Sequence, residues 1–204
     1  MHDFHSDDYV DRWISHVGGP LRDSVMRHLI AHLSLIDVEE FHVLELAPGP
    51  GILAQLILTS FPGVTYVGAD YSEPMRRHAT ARIAEFSGRA QFVHADLRSD
   101  DWTEGIAHPL RVVLSMQALH DVGGEDAHDR LYSSVRGLMP AGGLLLNADY
   151  MKRSSRGGGG PGIPLDTHLG LLRKHAFQDV KCTLDIGRYA CVSGTVPAAP
   201  SPQA

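Results

Sequence analysis

Cysteine is scarce: Cys182 and Cys191 are the two in a chain of 204 residues. That count excludes a disulfide framework and sets the expectation of a reduced, cytoplasmic setting. No apolar run approaches the ~20 residues of a membrane-spanning helix. The acidic opening Met1-His-Asp-Phe-His-Ser-Asp-Asp8 also lacks the apolar core of an export signal, so no membrane role is expected. Basic residues are short too, with 18 Lys and Arg against 24 Asp and Glu and a formal net charge of −6. This argues against a general nucleic-acid binder, because a phosphate backbone needs a net or clustered basic face. Arg76, Arg77 and Arg82 share one predicted helix and read as a solvated face.

What is present is the composition of a globular protein, 43% apolar and 21% charged. The length suits one domain with one core, assigned to residues 1–196, with 1–37 as N-terminal helices and 197–204 as a flexible tail. Helical periodicity covers Ser6 to about Val17 and Pro20 to about Ile36, with Leu21, Val25, Leu29, Leu33 and Ile36 spaced by four and three. Apolar runs then alternate with helical stretches: strand 41–46, helix 50–60, strand 64–69, helix 72–86, strand 90–95, a short helix near 100–106, strand 110–116, helix 124–138 and strand 143–149. Such alternation predicts a doubly wound α/β fold, a mostly parallel sheet with crossover helices on both faces. Arg153 to Gly162 is a glycine-rich loop expected to move. A helix near 165–175 follows, then two runs, 178–186 and 188–194, close enough to pair antiparallel around Gly187.

The densest information lies in Val43-Leu-Glu-Leu-Ala-Pro-Gly-Pro-Gly51, an apolar strand running into a Gly/Pro turn and then a helix. Gly49 and Gly51 have no side chain, so a ligand can lie against the backbone at a helix N-terminus. Asp70 follows Gly49 by 21 positions, at the end of the next apolar run, where a carboxylate can accept from ribose hydroxyls.

Glu45-Leu-Ala-Pro-Gly-Pro-Gly51 resembles the E/D-x-G-x-G-x-G motif of class I S-adenosylmethionine-dependent methyltransferases, and later landmarks agree in order. Gly68-Ala-Asp-Tyr-Ser-Glu-Pro-Met75 resembles the family's second loop and His94-Ala-Asp-Leu97 its adenine-side loop. Ser115-Met-Gln-Ala-Leu-His-Asp121 occupies the loop after strand four, and Leu138-Met-Pro-Ala-Gly-Gly143 resembles the turn before strand five. The likeness covers about residues 41 to 194 and implies a seven-stranded Rossmann-like sheet with an antiparallel C-terminal strand. It further implies that Glu45 attracts the methionyl ammonium, that Ala47, Gly49 and Gly51 supply backbone contacts, and that Asp70 accepts the ribose hydroxyls. Tyr71 and Met75 then lie against adenine, Asp96 accepts its amino group beside the Leu97 backbone, and Ser115 completes the cofactor set, with S-adenosylhomocysteine as product. One departure is Ala47, which stands where the motif has its first glycine; Pro48 and Pro50 fix φ on both sides of it.

Two other readings use the same residues. Gly49-Pro-Gly-Ile-Leu-Ala54 fits G-x-G-x-x-A, and Asp70 fits the acid of a nicotinamide dinucleotide fold, so an NAD(P)-dependent oxidoreductase is weighed. Against it, Glu45 would stand close to a pyrophosphate and Asp96 would have no task. A cofactor-binding module without catalysis also stays open.

A sulfonium methyl is already activated, so transfer needs an in-line approach, exclusion of water and, for some acceptors, a base. His120 is the candidate base, with Asp121 placed to orient its ring, beside the plainer reading of a histidine bonded to backbone. Tyr9 and Trp13, at i and i+4, are candidates for a lid over cofactor and substrate, and equally for packing. Thirteen histidines raise the question of a metal. His28 and His32 lack the glutamate of H-E-x-x-H, and His120, Asp121, Glu125, Asp126 and His128 lack fixed ligand spacing, so no metal is predicted. The loop after strand four lacks the Asn/Asp-Pro-Pro-aromatic motif used on exocyclic base amines. A small-molecule acceptor is therefore expected, nucleic acid is not, and a homo-oligomer stays open.

Overall fold

The computed structural model describes residues 3–107, 109–152 and 162–198. The chain divides into two compact units, Met1–Ile106 and Ala107–Ala204. The first opens with α1 (Asp7–His16) and α2 (Pro20–Leu33), followed by β1 (Phe41–Leu46), α3 (Ile52–Ser60), β2 (Val64–Asp70), α4 (Glu73–Arg82) and β3 (Ala90–His94). Ser6 caps α1 by accepting the Tyr9 N–H at 3.3 Å, and Pro20 begins α2 where a missing N–H leaves no bond unmade. β1 pairs parallel with β2 and β2 with β3, which is why a helix must intervene each time. His42 and Thr65 are the exposed positions of β1 and β2, so these strands read as apolar runs rather than alternating ones.

The second unit holds β4 (Val112–Met116), α5 (Glu125–Leu138), β5 (Leu144–Tyr150), α6 (Leu165–Lys174), β6 (Gln178–Ile186) and β7 (Tyr189–Thr195). β4 and β5 are parallel, while β7 runs antiparallel to both β5 and β6. Ile186 faces Tyr189 across the two-residue turn Gly187-Arg188, where Gly187 supplies a φ of +57°. His128, Leu131, Tyr132, Val135 and Leu138 form the buried stripe of α5. Across the fold the strand order is β3-β2-β1-β4-β5-β7-β6, the seven-stranded Rossmann-like sheet that the family resemblance implies. Among the described residues no helix is long and apolar enough to cross a membrane.

Some expectations need correction. The short helix near 100–106 is a series of turns, with Glu104 N–H on Asp101 O at 2.9 Å and Ile106 N–H on Thr103 O at 3.2 Å. Trp102 is buried there, and Gly105 breaks the turn at a φ of +76°. The helix expected over 72–86 ends at Arg82, with one 3₁₀ turn after it at Ala84–Phe86. The second helix stops at Leu33, three residues before Ile36. The glycine-rich loop and the tail fall mostly outside the described residues.

Ala47 adopts a φ of +50°, in the left-handed region that disfavours a Cβ. Relief of that strain should outweigh the added freedom of glycine in the unfolded chain, so Ala47→Gly is expected to raise stability by roughly 0.5–1 kcal/mol. Gly51→Ala should do the opposite by more than about 1 kcal/mol, because φ is +75° there and a Cβ would meet Ala79 Cα and Cβ at 3.0 Å. Urea midpoints measure both, and a destabilised Ala47→Gly variant would contradict the account.

Candidate functional site

In the first unit the turn after β1 is held by a carboxylate from β2. Gly49 N–H donates to Asp70 Oδ2 at 3.0 Å and Ser72 N–H donates to Oδ1 at 2.9 Å, so one side chain fixes two loops. Ala47 N–H bonds Ala69 O at 2.8 Å and seats the turn on the strand. Met75 is buried, and its sulfur lies 3.9 Å from the position a Cβ would take on Gly49. It therefore packs against the glycine turn. Arg82 Nε donates to Pro50 O at 2.8 Å, so this arginine anchors the turn instead of lying on the solvated face expected for it.

Glu45 is buried on β1, where Tyr66 Oη donates to its Oε2 at 2.7 Å. Burial pushes its carboxyl up to about 7, with the Asp70 charge adding to the rise and the Tyr66 bond and Arg22 opposing it. Asp70 is raised to about 6 by burial, against its bonds from Ser72 and Gly49 and the charges of Arg76 and His94. Two carboxyl groups thus stand close to the glycine turn, both easier to protonate than in water.

The loops after β2 and β3 are joined by a residue the sequence reading missed. Arg98 grips Asp96 through Nε on Oδ1 at 2.8 Å and Nη2 on Oδ2 at 2.7 Å, and its guanidinium lies 5.4 Å from the Tyr71 ring centroid. These bonds hold the half-exposed Asp96 below its ordinary range. Leu97 sits in the same turn, half-buried. Tyr71 also meets His5 edge to face at 5.1 Å, and the Ser72 hydroxyl donates to Phe4 O. Phe4 in turn packs edge-on against Tyr9 and Trp13. The aromatic pair of α1 is thereby tied to the loop after β2, and Asp7 with Arg77 and Asp11 with His78 fasten the helix to α4.

In the second unit Ser115 is buried in β4, paired in register with Asn147 of β5. His120 lies beyond it, in a 3₁₀ turn over Leu119–Asp121. Its Nδ1 is 2.7 Å from Asp149 Oδ1, and its backbone N–H donates to Oδ2 at 2.9 Å. A carboxylate can only accept, so Nδ1 carries the proton and, in the neutral ring, Nε2 keeps a lone pair. Asp149, and not Asp121, orients the ring; Asp121 Oδ2 is 3.7 Å from Nε2. Burial alone would lower the His120 pKa, but the Asp149 bond and the charges of Asp149 and Asp121 lift it above the ordinary value. Asp149 was missed from sequence, although it ends an apolar run in Ala-Asp just as Asp70 and Asp96 do.

Residues 43–143 match the family model described as a methyltransferase domain. A trans-aconitate 2-methyltransferase of Paracidovorax citrulli (strain AAC00-1) is 30% identical over 104 residues, which is 51% of this chain and 36% of that protein. An O-methyltransferase family protein from Burkholderia thailandensis superposes with a TM-score of 0.70 at 21% identity, over 88% of this chain and 59% of its own. Human N-acetylserotonin methyltransferase in complex with S-adenosylmethionine does so with a TM-score of 0.70 at 16% identity, over 96% and 58%. Fold and strand order are those of the Rossmann-like methyltransferases. The matched stretch, 101 of the 204 residues, is similar to methyltransferase domains in sequence, and the whole chain is similar to solved methyltransferases in fold. It spans about a third of the curated relative's length and less than two thirds of these structures.

A carboxyl group raised on folding favours the native state while protonated and loses that contribution as pH climbs through the folded pKa. For Glu45 the window runs from its ordinary 4.5 to about 7. Glu45→Gln is expected to flatten the decline of stability across that window, gaining on the order of 2 kcal/mol above pH 7. Urea unfolding at stepped pH checks this, and parallel profiles for the two proteins would refute it.

Proposed function

We propose that this chain binds S-adenosylmethionine and transfers its methyl group to a small-molecule acceptor, releasing S-adenosylhomocysteine. The observation that carries the reading is the glycine turn clamped to Asp70 with the Glu45 carboxyl buried close by. A half-buried glycine turn at a helix start suits a ligand lying flat on its backbone, and an adjacent acid suits a cationic amino group. A dinucleotide pyrophosphate would meet that acid as a repulsive charge. In this reading Glu45 faces the methionyl ammonium, Ala47, Gly49 and Gly51 line the amino-acid moiety, and Asp70 accepts ribose hydroxyls on its remaining lone pairs. Tyr71, Met75, Asp96, Leu97 and Ser115 complete the contacts. Tyr9 and Trp13 act as a lid within one methyltransferase domain, and two cysteines, neither in a disulfide, suit a cytoplasmic setting.

The cofactor supplies a methyl group already activated by a sulfonium. The protein's chemical task is then the acceptor's proton. His120 Nε2 presents a lone pair because Asp149 holds the proton at Nδ1, and Asp149 with Asp121 stabilises the imidazolium that forms. The similar proteins bear names with acceptors as unlike as trans-aconitate and N-acetylserotonin, so the acceptor here depends on the residues around His120.

Calorimetric titration with S-adenosylmethionine tests the reading. An ammonium favours the charged carboxylate, so binding near pH 6.5 should release protons, and affinity should rise from pH 5.5 to 7.5 as Glu45 ionises. NAD should give no heat; NAD binding without S-adenosylmethionine binding would overturn the proposal. His120→Ala is expected to lower kcat by about 10²–10⁴ while the cofactor Kd stays within about threefold. Turnover that is unchanged removes His120 from the mechanism, and cofactor binding with no transfer to any acceptor of a broad labelled-methyl panel makes the chain a binding module.

A further inference from the structure

Around His120 the second unit places a group that neither the dyad nor the cofactor loops use. The Tyr150 ring meets the His120 ring edge-on at 5.1 Å, and Tyr189 lies beside it at 4.7 Å with the two hydroxyls 3.1 Å apart. The Gln117 amide donates to the same Tyr150 hydroxyl. Over Tyr150 stands Arg188, its guanidinium 4.8 Å from the ring centroid. Arg188 is exposed, in the β6–β7 turn, and among the described residues it makes no ion pair. Stacking on an aromatic face restrains the guanidinium in place while its N–H edge stays available for a planar, two-oxygen acceptor. It can be no further from His120 than the two ring separations laid end to end.

Charge is divided between the ends of this patch. Asp149 and Asp121 make the His120 end negative, and Arg188 makes the other positive. A carboxylate would be repelled at the histidine and drawn to the arginine, and a hydroxyl that must give up its proton suits the opposite placement. We propose that Arg188 is a specificity-determining residue and that the acceptor is a small hydroxy acid, its carboxylate held by the Arg188 guanidinium and its hydroxyl directed to His120. This rests on the reading of His120 as the acceptor-side base. In the reaction the acceptor O–H proton passes to His120 Nε2, the O–CH₃ bond forms as the S–CH₃ bond breaks, and the sulfonium leaves as a neutral thioether.

The test uses the full chain with saturating S-adenosylhomocysteine and two probes, 4-hydroxybenzoate and its neutral isostere 4-hydroxybenzamide. The benzoate is expected to bind at least tenfold tighter than the amide, and Arg188→Gln, in an exposed turn, should collapse the ratio to within twofold. Equal binding of the two, binding of neither, or a preference that survives Arg188→Gln overturns the proposal. The methyltransferase reading fails separately, if S-adenosylhomocysteine itself does not bind; the acid and amide can still be compared on the unloaded protein.

Discussion

The Asp70 carboxylate is the constraint on which the glycine turn depends. Backbone N–H groups at Gly49 and Ser72 both need an acceptor, and both find it in the two oxygens of one side chain at the end of β2. The Ser72 hydroxyl then caps α4 by accepting the Met75 N–H at 3.2 Å, which sets the helix that brings Met75 against Gly49 and Arg82 to Pro50. Removing the carboxylate would leave buried donors unpaired at both loops, a larger cost than the net value of the two bonds.

The second unit repeats the device in its own strands. Leu46 pairs with Ala69 and Met116 with Ala148; the next residues, Ala47 and Gln117, bond Ala69 O and Ala148 O, both at 2.8 Å. Both take left-handed φ values, +50° and +57°, where the chain turns out of its strand. One position on, Asp70 and Asp149 each reach across to the neighbouring loop, Asp70 to the Gly49 backbone and Asp149 to the His120 backbone and ring. A short left-handed exit followed by an acid on the adjacent strand therefore builds both a backbone cradle and an oriented imidazole. The difference in product comes from what the loop carries, glycines in one case and a histidine in the other.

The crossover pattern and the parallel sheet were legible because apolar runs at β1, β2, β4 and β5 alternate with helical stretches, and because Gly/Pro turns mark the junctions. Asp70 was legible from its spacing to Gly49, and Glu45 and Asp96 were singled out by the family resemblance. Four residues were not. Tyr66 reads as one more apolar strand position, and nothing in the pattern says that its hydroxyl meets Glu45 21 residues away. Arg82 and Arg98 look like surface cations, since a guanidinium's target is set by tertiary approach. Asp149 lacks a glycine motif before it, so its partnership with His120, 29 positions away, emerges from β4–β5 pairing. Asp121 was the expected partner, but its carboxylate lies 3.7 Å from Nε2, beyond a hydrogen bond, while Asp149 takes Nδ1 at 2.7 Å. The missing helix near 100–106 has a local cause, the left-handed Gly105 at a φ of +76°.

Asp149 also inherits its position from a neutral network further along the same strand face. Asn147 lies two residues before it, so the two side chains project to the same side of β5. Asn147 Nδ2 donates to Tyr132 Oη at 3.0 Å, and Tyr132 Oη lies 2.7 Å from His168 Nδ1, linking β5 to α5 and α6. The hydroxyl accepts from Asn147 and keeps both a proton and a second lone pair, so it can bond either tautomer of a neutral His168. Burial, with the His128 charge adding, pushes the His168 pKa down to about 3, so this link does not acquire a charge at any pH where His120 titrates. A strand pinned by uncharged bonds holds Asp149 against Nδ1 of the His120 ring without adding a further charge from that network. The ionisable dyad is thus confined to one end of β5, and its proton chemistry is insulated from the packing that positions it.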